Sequence, residues 1–403
     1  MAKAFNGVRI IDFSQVFAGP FATMQLALLG ADVIKIEEPK DGDQCRGIGA
    51  DNDIGQHGMP PFYLAMNANK RSMTLDLKHP RAAEVIARLV KDADVVVQNF
   101  RPGVIDRLGF GYEAMKAIKP DLVYCSVSGF GQTGPSSKAP AYDGAVQAVS
   151  GMMSVTGHPE CGPTRVGFTV VDLGTAVMAA FAIAGALYRR AMTGQGQHLD
   201  VSMLDTSLAL MSPLISNYLN IGAVPQLVGN GSVVKLPTLG SFATQGGGGI
   251  LMSAMTDRQW AGITAAIARP DLAADDRFRT VDGRRAHYDF LHAELRAAFA
   301  ANTALHWEER LNAEGVPASA IRTIPEILEH PQVAHRRVIG RLPGATGVDR
   351  AIGLVTSGFT AGADSPAITT PPPAKGEHTD QVLAEAGYSA EDIAALRAGG
   401  ALS

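Results

Sequence analysis

The chain is poor in the residues that would announce several common chemistries. It has three cysteines in 403 residues, Cys45, Cys125 and Cys161, set far apart. So odd and sparse a set gives neither a disulfide framework nor a zinc site, and it suits a reducing, cytoplasmic location. Charged residues make up 18% of the chain, and 39 acids against 35 bases leave a formal charge of −4. Without a basic excess, neither nucleic acid nor an anionic membrane is expected as a partner. The opening MAKAFNGVRIIDFS lacks the long apolar core of a secretory signal. The longest apolar run, Ala176 to Leu187, is too short to span a bilayer and is diluted by Ala and Gly, so it reads as a buried helix. No G-x-G-x-x-G follows the first strand-like segment; QVFAGP stands there, which disfavours a nicotinamide oxidoreductase. There is no G-x-S-x-G elbow and no H-E-x-x-H, and His79, His198 and His378 show neither triad nor metal spacing. No metal is expected.

What is present is a large apolar share, 46% of residues, enough for a sizeable core in two or three domains. Val8–Phe13 reads as a buried strand, AGPFATMQLALLGA as a helix with Pro20 in its first turn, and DVIKIE as a second strand ended by Pro39. That is a βαβ unit, which calls for a right-handed crossover. The theme repeats: a short strand at Thr74–Asp76, a helix from Pro80 to about Lys91, then strands at Val95–Gln98 and Val123–Val127. A further strand is expected at Gln197–Ser202 and a hairpin around Gly246–Gly249. The fold class is α/β. The expected division is residues 1–221 as a large domain, 222–325 as a smaller α+β domain, and 326–403 as a linker with a triple proline followed by a C-terminal segment.

Candidate sites lie beyond the carboxyl ends of the strands, where open α/β sheets bind ligands. One cluster is Asn67, Lys70, Arg71 and Lys78; another is Asn99, Arg101 and Arg107. Arginine and lysine there can meet phosphate, or simply form a solvated rim. A third basic cluster near Arg337 and Arg341 reads as surface. The loop GFGQTGP follows a strand, but Pro135 and the lack of an immediate helix leave it a strand-end loop. Asp172 is the only acid between Thr164 and Arg190 and stands at the mouth of the apolar run. It can be a helix N-cap. It can equally be a nucleophile, held ionised by the helix dipole and open amides, with Gly174 letting a ligand approach. Local sequence does not separate the two.

Taken in order, GVRIIDFSQVFAGPFATMQLALLGADVIKIEEP, NANKRSMTLDLK, NFRPGVIDRLGFGYE, SGFGQTGP, VDLGTA, RRAMTGQGQHLDVSMLD and GEHTDQVL resemble the class III CoA-transferase family (formyl-CoA transferase or carnitine dehydratase-like, CaiB/BaiF). The resemblance covers nearly the whole chain. It implies a Rossmann-like large domain built from N- and C-terminal segments, and an interlocked homodimer. It also implies transfer of CoA from an acyl-CoA to a carboxylic acid through an aspartyl-CoA thioester, with Asp172 as nucleophile. It further places coenzyme A against Gln15, Leu75, Lys78, Asn99, Phe100, Arg101, Arg107, Tyr142 and Asp143, with Gln15 positioning the coenzyme or polarising a carbonyl. Two departures stand out. Glu38 replaces an arginine of the formyl-CoA branch, and GNGSVVKLP (Gly229–Pro237) replaces that branch's glycine-rich flap. Both disfavour formyl-CoA and oxalate and favour a larger acyl group or a dicarboxylate. The alternative on the same fold is an α-methylacyl-CoA racemase or another acyl-CoA isomerase or dehydratase. A racemase needs a histidine where this chain has Tyr142, a poor base near neutral pH.

Overall fold

A computed structural model describes residues 3–49 and 53–403. The chain divides into two compact units. The larger comprises residues 1–150, 167–215 and 331–403, and the smaller 151–166 and 216–330.

The larger unit is built on a six-stranded parallel sheet. Its elements begin with β1 (Arg9–Asp12), α1 (Ala18–Leu28), β2 (Asp32–Glu37), α2 (Pro61–Asn67), β3 (Lys70–Thr74), α3 (Ala82–Lys91) and β4 (Val95–Gln98). They continue with α4 (Val104–Arg107), α5 (Tyr112–Ile118), β5 (Val123–Ser128), α6 (Asp143–Val149), α7 (Val170–Thr193), β6 (Gln197–Ser202) and α8 (Met203–Leu210). Spatial order is β3-β2-β1-β4-β5-β6, with Ile10 beside Val33 and Val95, and Val123 beside Gln197. This is the doubly wound order, and its direction reverses between β1 and β4.

The strands are apolar on both sides because both faces are covered. Ile11, Ile34, Val96 and Tyr124 face α3 and the C-terminal helices, packing on Val85, Ile86, Leu89 and Leu396. Ile10, Val33, Val95 and Val123 face α1 and α7, packing on Ala22, Leu26, Ala179 and Ile183. The C-terminal helices Thr379–Glu385 and Ala390–Ala398 belong to this unit, and His378 N–H donates to the Ser72 carbonyl at 2.8 Å.

Two expectations need correction. The third strand is Lys70–Thr74, earlier than Thr74–Asp76. Its polar residues disguise it: Lys70 is fully buried and donates to Asp12 at 3.0 Å, Asn67 Oδ1 at 3.0 Å and the Pro20 carbonyl at 2.8 Å. Helix α7 is also longer than its apolar run and only partly buried. At 24 residues it is long and apolar enough to cross a membrane by composition. One face lies in the core against α1 and the sheet, which accounts for that composition. On the other, Phe181 is 73% exposed and Met192 70%.

The smaller unit has an antiparallel sheet of β7 (Leu239–Ala243), β8 (Gly249–Ser253) and β9 (Ala318–Ala320), with β8 in the middle. The glycine-rich turn joins β7 to β8 as a hairpin. Helices between residues 257 and 313 pack Trp260, Ile263, Phe278, Leu295, Phe299 and Trp307 into its core.

Candidate active site

The crevice between β1 and β4, where the sheet order reverses, is built by the chain immediately after each strand. The two segments are tied reciprocally. Gln15 N–H donates to Asn99 Oδ1 at 2.9 Å, and Asn99 Nδ2 donates to the Gln15 carbonyl at 2.7 Å. A cavity of about 320 Å³ opens there, lined by Gln15, Val16, Asn99, Phe100, Arg101, Tyr142 and Asp172, among others.

Beneath this loop lies a fully buried ionic network. Lys35 pairs with Asp43 at 2.6 Å and donates to the Ser14 carbonyl at 2.8 Å. Asp43 accepts from Val16 N–H at 3.1 Å and Cys45 N–H at 2.8 Å. Asp12 accepts from Thr23 Oγ1, from Lys70 and from both the N–H and hydroxyl of Ser14. Burial alone would raise the Asp12 carboxyl, but Lys70, Lys35 and the two hydroxyls bring it down to about 2. The anchoring holds Val16 at φ +70°, a left-handed conformation unusual for a β-branched residue and costing of order 1–3 kcal/mol. Only glycine fits at position 19, because a Cβ there would stand 2.2 Å from Ser14 Cβ.

Asp172 reaches the cavity from the first turn of α7. It is not the N-cap, which is Thr169. The helix's first amides are taken instead by Asp143, whose Oδ2 accepts from Val171 N–H at 2.8 Å and Asp172 N–H at 3.2 Å. The expectation that dipole and amides hold Asp172 ionised is therefore overturned. Burial, and then the Asp143 anion, push its carboxyl up to about 7. Gly174 also has a different role from the one expected. A Cβ there would come within 3.0 Å of Leu210 Cδ1, so the glycine lets α8 pack on α7.

A second cavity, of about 270 Å³, shares Gln15 and Phe100 with the first and adds Phe13, Glu38, Leu75, Asp76 and Lys78. Neither Lys78 nor Arg101 forms an ion pair among the described residues, and both are exposed. Of the residues singled out from sequence, the structure thus gathers Gln15, Asn99, Phe100, Arg101, Tyr142 and Asp172 at one cavity and Gln15, Leu75, Lys78 and Phe100 at the other. Arg107, exposed on α4, lines neither. Asp143 is buried behind Asp172 and lines neither. Lys70, Asn67 and Arg71 are used up structurally, Arg71 by Asp32 at 2.7 Å and Glu385 at 2.9 Å. Sequence reading missed Val16, Gln44 and Asp43; locally Asp43 is only a cap on Cys45 N–H, and its ties to Lys35 and Val16 are distant in sequence.

The sequence profile of CoA-transferase family III matches residues 5–379. The chain belongs to that family. Its relatives include an acetyl-CoA:oxalate CoA-transferase of Acetobacter aceti, 39% identical over 83% of this chain and 85% of the relative. Another is a succinate–glutarate CoA-transferase of Agrobacterium fabrum, 34% identical over 94% and 95%. Among solved structures, a CaiB/BaiF family protein from Brucella suis superimposes with a TM-score of 0.84 at 30% identity, covering 96% of this chain and all of that one. The fold matches that of a CaiB/BaiF family protein, the family uses CoA thioesters, and the relatives named are CoA-transferases.

Proposed function

We propose that the protein moves CoA from an acyl-CoA to a carboxylic acid through covalent intermediates on Asp172. One Asp172 oxygen attacks the thioester carbonyl carbon, a C–O bond forms, the C–S bond breaks, and CoA leaves as its thiolate. The thiolate attacks the aspartyl carbonyl of the resulting anhydride, giving the aspartyl-CoA thioester and releasing the donor acid. The acceptor carboxylate then attacks that thioester, forming a second anhydride and the thiolate, which recombine to give the new acyl-CoA and free Asp172. No water enters at any step, so the thioester energy is kept.

The observation that carries this reading is the position of Asp172. It is a carboxyl largely withdrawn from water at the wall of the switch-point cavity, beside Gln15 and Asn99. Arg101 and Lys78, without an ion-pair partner among the described residues, supply cations for CoA phosphates, and the second cavity suits the adenosine end. Dicarboxylates are the proposed acceptors, on the strength of the named relatives, and oxalate re-enters the panel with them. The working form is proposed to be an interlocked homodimer in the cytoplasm, with the exposed apolar side of α7 covered by the partner.

The test is incubation with an acyl-CoA donor followed by hydroxylamine and mass spectrometry. The label is expected on Asp172. Label on another residue, or normal CoA transfer by Asp172→Ala, refutes the assignment. Exchange of an α-proton for deuterium without CoA transfer would identify a racemase instead.

A further inference from the structure

Asp143 is 6% exposed and opens α6, and both its oxygens are occupied, one at the head of α7 and one within α6. Oδ2 holds the amides of Val171 and Asp172, and Oδ1 accepts from Gln147 Nε2 at 2.6 Å. The first amides of a helix are its anion-binding end. Here an acid from another helix occupies them. Asp172, on the same turn, is left next to that negative charge, with no cation paired to it among the described residues.

We propose that Asp143 is a positioning residue. It fixes the backbone from which Asp172 projects, and its charge, set against the head of α7, makes the Asp172 anion a stronger nucleophile. This rests on Asp172 being the group that attacks the thioester. A carboxylate stabilised by open amides would be a weaker nucleophile. One facing another carboxylate is a stronger one once ionised.

The surroundings single out Asp143. The elements packed against α7 are chiefly α1, α6, α8, β5 and β6. Helix α1 carries no titratable side chain. Helix α8 carries Asp205, and β6 carries His198 and Asp200. Strand β5 carries Tyr124 and Cys125, both held neutral by burial. The cavity adds Tyr142 and Arg101. Cys45, which senses Asp172, is pushed up to about 12 by burial, Asp43 and Asp172, and stays a thiol. Burial raises the Asp172 carboxyl most, and the Asp143 charge raises it further.

Infrared difference titration of the free enzyme tests this without a substrate. Wild type minus Asp172→Asn isolates the Asp172 carboxyl band. The same subtraction is then made in an Asp143→Asn background, which keeps an acceptor oxygen for both amides but removes the charge. Ionisation is expected near pH 7 in the first case and about one pH unit or more lower in the second. An unchanged midpoint overturns the proposal. Asp143→Ser, small and neutral, gives the same readout should Asp143→Asn fail to fold. Hydroxylamine capture in parallel separates the two claims. Unlabelled Asp172 in the wild type defeats the nucleophile assignment, whereas labelled Asp172 with an unmoved titration defeats only the role of Asp143.

Discussion

Asp172→Asn should stabilise the protein, and more so as pH rises. The buried carboxyl has its folded-state value raised to about 7 from an ordinary 3.8, by burial and then by Asp143. Above 3.8 the unfolded chain releases this proton while the folded chain retains it. The folded state is therefore favoured less and less as pH climbs towards 7, after which the penalty is constant. At ~1.4 kcal/mol per pH unit the wild type gives up as much as about 4 kcal/mol by pH 8 and about 1.5 kcal/mol at pH 5. Asparagine keeps the shape without the charge and escapes this. For a chain of this size 3–4 kcal/mol corresponds to about 4 °C in melting temperature. Melting temperatures of the two proteins should thus separate from pH 5 to pH 8, with the mutant higher, and converge near pH 4. Parallel curves, or a mutant that loses stability at pH 8, would refute the claim that the acid is held against its preference.

Other substitutions probe the scaffold and the cavities. Lys35→Met leaves Asp43 buried without its cation and should cost about 3–5 kcal/mol in denaturant unfolding, whereas Lys35→Met with Asp43→Leu should cost less than the single change. Gly174→Val would force α8 off α7 at Leu210 and should cost about 1–3 kcal/mol, read as a lower denaturation midpoint. Arg101→Ala should raise KM for acyl-CoA about tenfold with kcat little changed, while Arg107→Ala, at a side chain that lines neither cavity, should leave both parameters within about twofold in steady-state assays.

The parts of this fold that were legible in sequence are those where one physical rule acted alone. Val95–Gln98 and Val123–Ser128 are buried on both faces, so their valine-bearing, charge-free runs declare them. The strand Lys70–Thr74 is disguised because its buried side chains are polar and satisfied in part by Asp12 and Glu37, partners distant in sequence. Asp172 stands out in sequence by its place before the apolar run and by the family resemblance, but the structure reverses the expected cause of its ionisation. The open amides it was expected to use belong to Asp143, 29 residues earlier, and no local pattern links the two. Likewise Arg107 shares a motif with Arg101, but on α4 it is Val104 that lines the cavity of Arg101, while the Arg107 side chain lines neither cavity.

The clamped segment from Ser14 to Phe17 has a consequence for attempts to retool the enzyme. A floor welded by Lys35, Asp43 and Asp12 leaves little slack for adaptation, since any bulk added to it must be absorbed by a ridge already bent at Val16. Libraries aimed at new acids would do better to spare that floor and diversify Gln44, Ala141 and Tyr142, wall positions that can change shape without unsettling the foundations.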